Sequence, residues 1–133
     1  MEGLRVLIVD DEEELVSALV ERLKLRGFVA HGVTDGSSAL AFLEKEPCDV
    51  VLLDVKMPGL GGLEVIRRIK AEDPHMEVIL LTGHGSVKSV EDGMALGAFD
   101  YLMKPVKIDN LVRILTAAGA KRPGTGSDTE EDR

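Results

Sequence analysis

At 133 residues, 44% of them hydrophobic, the chain suits one domain with a core of its own. A formal net charge of −8 and 3% aromatic residues argue against direct binding to nucleic acid, which wants clustered cations and stacking faces. A single cysteine, Cys48, excludes an internal disulfide, no apolar run approaches the ~20 residues of a membrane span, and the leading MEGLRVLIVDD lacks a signal-peptide pattern, so a cytoplasmic protein is expected.

Five short apolar runs alternate with five helical patterns. The first run, LRVLIV (4–9), stops at Asp10 and Asp11, and a helix over 12–26 follows with Leu15, Ala18, Leu19 and Leu23 on one face and Gly27 as its stop. FVAHGV (28–33) is the second strand, followed by a helix over 35–46 that carries Ala39, Leu40, Phe42 and Leu43 and ends before Pro47. DVVLLD (49–54) ends on Asp54 and runs into VKMPGLGG, after which a helix over 62–72 aligns Val65, Ile66 and Ile69. EVILLT (77–82) ends on Thr82, and the helix over 86–96 has Ser86 as its expected cap and a weakening glycine, Gly93, inside it. FDYLM (99–103) leads into Lys104 and Pro105, and the last helix, 107–118, aligns Ile108, Leu111, Val112 and Leu115. From Gly119 the composition loses periodicity, which predicts a domain over 1–118 and a disordered tail or truncated linker over 119–133.

Alternating strands and helices predict an α/β fold with a parallel sheet, because parallel strands need helical crossovers. Runs one, three and four are almost continuously apolar, as strands covered on both faces must be, whereas runs two and five interleave His31, Gly32 and Asp100 and suit the edges. Right-handed crossovers then favour the order 2-1-3-4-5, with helices on both faces.

In such a sheet the carboxyl ends of the strands hold the ligand crevice. Asp10, Asp11, Asp54, Thr82 and Lys104 all fall there, so three carboxylates, a hydroxyl and an ammonium are expected to converge. Crowded carboxylates repel unless a cation offsets them. Magnesium suits oxygen ligands that leave room for water and a phosphate, calcium is the alternative hard cation although no EF-hand spacing exists, and scattered histidines (His31, His75, His84) with one cysteine do not suit zinc. Magnesium, a lysine and a hydroxyl beside a carboxylate are the parts that stabilise a transferring phosphoryl group, with Asp54 as nucleophile. Singly, each residue has a plain alternative: Asp11 with Glu14 as a helix cap, Thr82 bonded to backbone, Lys104 in solvent. Their joint arrival at one rim favours the chemical reading.

VLIVDDEEEL, DVVLLDVKMPGLGG, VILLTGHGS and GAFDYLMKPV, in that order, resemble the signature segments of the receiver domains of two-component response regulators, over about residues 4–118. The resemblance implies a flavodoxin-like (CheY-like) fold and a phosphoryl group accepted on Asp54 from a histidine kinase or phosphotransfer protein. It implies an acidic pair, Asp10 and Asp11, and Mg²⁺ held mainly by Asp11, Asp54 and the Lys56 carbonyl. Thr82 and Lys104 would contact phosphoryl oxygens, Tyr101 would be the switch aromatic, and the Lys104–Pro105 peptide would be cis. The fourth helix, fifth strand and fifth helix would form the surface for a downstream protein or a second copy. Lys56 and His84, two residues past Asp54 and Thr82, are candidates for tuning the lifetime of the acyl phosphate.

Three rival readings make different demands. A haloacid-dehalogenase-type phosphatase needs a second acid two residues after the nucleophile, where Lys56 stands. A nucleotide-binding domain needs a glycine-rich loop after the first strand, where VDDEEEL stands. A receiver-shaped interaction module acting without phosphorylation would not need all five site residues. The chain is expected to be a switch rather than an enzyme with its own substrate, either standing alone or as the receiver of a longer regulator.

Overall fold

The computed structural model describes residues 3–83 and 87–121. Its elements run β1 (Arg5–Val9), α1 (Glu13–Leu25), β2 (Val29–Val33), α2 (Gly36–Lys45), β3 (Val50–Asp54), α3 (Gly62–Glu72), β4 (Glu77–Thr82), α4 (Val87–Ala95), β5 (Asp100–Met103) and α5 (Ile108–Lys121). All strand pairings are parallel and the order is β2-β1-β3-β4-β5, as burial patterning predicts. The reason is visible strand by strand: β3 is buried throughout, while edge strands β2 and β5 alternate with exposed positions.

Side chains of a strand alternate between faces, so the central strands feed two cores. Val6, Ile8, Leu52, Ile79 and Leu81 pack with Leu19, Leu23, Leu111 and Leu115 from α1 and α5. Leu7, Val9, Val51, Leu53 and Leu80 pack on the other face with Ala39, Val65, Ile66 and Ile69 from α2 and α3. Arg5 clamps the amino-terminal edge, its Nε and Nη2 donating to the two oxygens of Asp49 at 3.0 Å each.

Helix ends follow local chemistry. Asp35 caps α2 by accepting from the Ser38 backbone N–H at 2.7 Å, a bond that holds its carboxyl below the usual range. Glu46, ahead of Pro47, is extended and closes the helix. The expected cap Ser86 lies outside the described residues.

Two expectations need correction. The buried stripe of α1 is Val16, Leu19 and Leu23, with Leu15 partly buried and Ala18 exposed, because the stripe over the sheet runs one residue away from Ala18. Helix α5 continues to Lys121, three residues past the expected end, because Ala118 and Gly119 are buried, Gly119 against Leu4. The glycine at which the helical periodicity is lost thus serves here as a site of close packing.

Candidate functional site

Register builds the site. Val9 pairs with Leu53, so Asp10 stands beside Asp54; Asp54 pairs with Leu81, so Thr82 follows; Thr82 pairs with Met103, so Lys104 comes next. Parallel pairing sends all of these strand ends to one rim. Below it, α3 begins close under β3: a Cβ on Gly62 would lie 2.3 Å from the Asp54 carbonyl oxygen, so only glycine permits this approach.

One oxygen from each of Asp10, Asp11 and Asp54 lies within 4.8 Å of the others. Asp10 and Asp54 are buried and Asp11 is exposed. Asp10 Oδ1 accepts from the Glu12 N–H at 2.9 Å, and Asp54 Oδ1 from the Lys56 N–H at 3.1 Å. Their second oxygens face Lys104 Nζ at 3.0 and 3.7 Å. Asp10 Oδ2, fully buried, has no well-aligned hydrogen bond despite that ion pair.

Burial, opposed by the Lys56 N–H and Lys104 and reinforced by the charges of Asp10 and Asp11, pushes the Asp54 carboxyl up to about 6. Lys104 goes the opposite way for its charge: burial alone would lower it, but the hydrogen bond to Glu12, the close contact with Asp10 and the charge of Asp54 outweigh that and hold it as an ammonium. Asp10, Glu12 and Asp54 therefore share the ammonium of Lys104, with the Asp11 carboxylate beside Asp10 and Asp54. An all-oxygen donor set with excess negative charge, an under-satisfied buried oxygen and one ligand open to water fits a hydrated hard cation such as Mg²⁺.

Thr82 is buried at the end of β4, its hydroxyl donating to the Gly83 carbonyl at 3.2 Å, and its own carbonyl accepts from the Lys104 N–H at 2.7 Å. The Lys104–Pro105 peptide is cis. Tyr101, 44% exposed, borders an apolar groove of about 530 Å³ with Thr82, Val87, Val90, Met94 and Met103. The groove reaches the reactive rim at Thr82. Lys56 projects into solvent, and His84 lies outside the described residues. Asp11 does not cap α1; that position falls to Glu12, whose side chain makes no capping bond. Glu12 instead accepts from Lys104 Nζ at 2.8 Å, a role that sequence reasoning missed. The acidic run DDEEE was the available signal, but nothing in it distinguishes the glutamate that meets Lys104.

The family model for the response regulator receiver domain matches residues 6–116. The transcriptional regulatory protein DctD of C4-dicarboxylate transport, from Rhizobium meliloti, is 36% identical over 117 residues, covering 88% of this chain and 25% of that protein. The sensory transduction protein RegX3 of Mycolicibacterium smegmatis is 39% identical over 126 residues, covering 92% of this chain and 55% of that one. Thus the chain spans a quarter to about half of these relatives. A crystal structure of a response regulator receiver domain protein from Clostridium thermocellum superposes with a TM-score of 0.84 at 35% identity, covering 89% of this chain and 95% of that one. No helix among the described residues is long and apolar enough to cross a membrane.

Proposed function

The chain belongs to the response regulator receiver domain family, and from that membership we propose that Asp54 accepts a phosphoryl group from the phosphohistidine of a histidine kinase or phosphotransfer protein in the cytoplasm. The observation that carries this reading is the convergence of Asp10, Asp11 and Asp54 within 4.8 Å, with Lys104 Nζ against two of them.

Asp54 is buried but borders solvent through Asp11, so a donor phosphate can approach while the carboxylate stays oriented by the Lys56 N–H. Above pH of about 6 it is ionised and has no proton to lose. Its free oxygen attacks phosphorus as the P–N bond breaks, and that electron pair returns to the donor's imidazole nitrogen. Asp11, Asp54 and the Lys56 carbonyl would hold Mg²⁺, with Asp10 as the supporting acid; when bound, the ion neutralises charge on phosphoryl oxygens. Lys104 supplies a second positive contact, and the Thr82 hydroxyl exchanges the Gly83 carbonyl for a phosphoryl oxygen. Lys56 and His84 tune how water reaches the acyl phosphate.

The switch is a local charge event acting on a bistable face. When Thr82 moves toward the phosphate it vacates the end of the groove beside Tyr101, which turns inward from its exposed position. The α4-β5-α5 face, with Val87, Met94, Tyr101 and Met103 exposed, then presents a different surface to a downstream protein or a second copy. The chain acts as a phosphoacceptor switch, promoting only its own phosphorylation and dephosphorylation.

Incubation with Mg²⁺ and acetyl phosphate followed by peptide mapping tests the assignment. An added phosphoryl mass on the peptide containing Asp54 is expected; no added mass, or phosphate elsewhere, refutes it.

A further inference from the structure

Glu12 carries a charge at the rim to which the phosphoacceptor reading gives no role. Its Oε1 accepts from Lys104 Nζ at 2.8 Å, nearer than Asp10 Oδ2 at 3.0 Å or Asp54 Oδ2 at 3.7 Å. Both backbones are tied to the site: the Glu12 N–H donates to Asp10 Oδ1, and the Lys104 N–H to the Thr82 carbonyl. The Glu12 side chain, by contrast, is 61% exposed and caps nothing. Of the three acids on Lys104 it is therefore the one most screened by water and easiest to release.

Nζ stands beyond hydrogen-bond reach of Asp54, and on the phosphoacceptor reading a phosphoryl group there gains that ammonium as a contact. Turning toward it means giving up a current partner. Losing Asp10 would leave a buried carboxylate uncompensated, whereas losing Glu12 returns a carboxylate to water.

We infer that Glu12 is a positioning residue, a latch that holds Lys104 on the solvent side of the cleft in the unphosphorylated chain and releases it when a phosphoryl group arrives on Asp54. The inference rests on the phosphoacceptor reading. A phosphoryl oxygen carries more charge than the water-screened Glu12 carboxylate, so it makes the stronger charge-assisted bond and wins the ammonium. The latch thereby slows phosphorylation.

The test is a time course of adduct formation with acetyl phosphate at saturating Mg²⁺, read by intact mass, for wild type, Glu12→Gln, Lys104→Ala and the double variant. Glu12→Gln should speed formation about threefold, the scale of one exposed ion pair, and should change nothing in the Lys104→Ala background. Equal acceleration in both backgrounds would mean only that a negative charge near an anionic donor had gone, and overturns the latch. A labelled wild type with an unaccelerated Glu12→Gln overturns it alone; a wild type unlabelled at Asp54 overturns the phosphoacceptor reading and the latch together. In EDTA, the side-chain ammonium resonance of Lys104 should shift in Glu12→Gln and stay in place in Glu13→Gln. No shift in Glu12→Gln overturns the pairing itself.

Discussion

Asp54→Asn should make the metal-free protein more stable, because the wild-type anion is held where the fold disfavours it. The carboxyl rises from 3.8 to about 6 in the folded chain, mainly by burial, so at pH 7.5 its ionised form costs the folded state on the order of 2–3 kcal/mol. Asparagine keeps an oxygen for the Lys56 N–H and removes the charge, while Lys104 retains Glu12 and Asp10. The folded state binds this proton more tightly than the unfolded chain does. The wild-type penalty is therefore complete above about pH 6, shrinks as pH falls, and is gone below about 3.8. Urea unfolding in EDTA across pH 4–8 should show the two chains converging at the acid end and separating by about 2–3 kcal/mol above pH 7. Saturating Mg²⁺ should narrow the gap by stabilising the wild type. A destabilised variant, or a gap that does not change with pH, would refute the electrostatic account of the site.

Mg²⁺ at about 100 times its dissociation constant should add about 2.7 kcal/mol to wild-type stability, and Asp11→Ala should lose most of it, read as the urea midpoint with and without EDTA. Lys104→Met should cost the metal-free protein about 3 kcal/mol by leaving the buried Asp10 carboxylate without its ion-pair partner, read as the urea midpoint in EDTA. Gly62→Ala should destabilise by about 1–3 kcal/mol and impair phosphorylation, since the new Cβ meets the Asp54 backbone. Gly93→Ala should cost less, because its clash is with the movable end of Leu80 and alanine returns about 1 kcal/mol of helix propensity; thermal melts of the two variants decide the ranking. Acyl-phosphate decay in Lys56→Ala and His84→Ala should differ from wild type, and unchanged lifetimes in both would end their tuning role.

The sequence by itself determined which segments are strands, which of them are central and where their polar ends lie. Burial on both faces leaves an apolar run and partial burial leaves an alternating one, and both are one-dimensional signals; β3 and β2 illustrate the two cases. Once the order was set, parallel pairing sent Asp10, Asp54, Thr82 and Lys104 to the same rim, so the set of candidate residues was legible before any coordinate. Only the tertiary structure decided which partner each group takes. Lys104 meets Glu12 across 92 residues of sequence, Gly62 is required by the nearby Asp54 carbonyl, and Gly119 is buried against Leu4 where local composition read as the start of a disordered tail or linker. Periodicity reports the face a residue turns to the core, while hydrogen bonds and close approaches depend on distances of a few ångströms between segments, which no local pattern encodes.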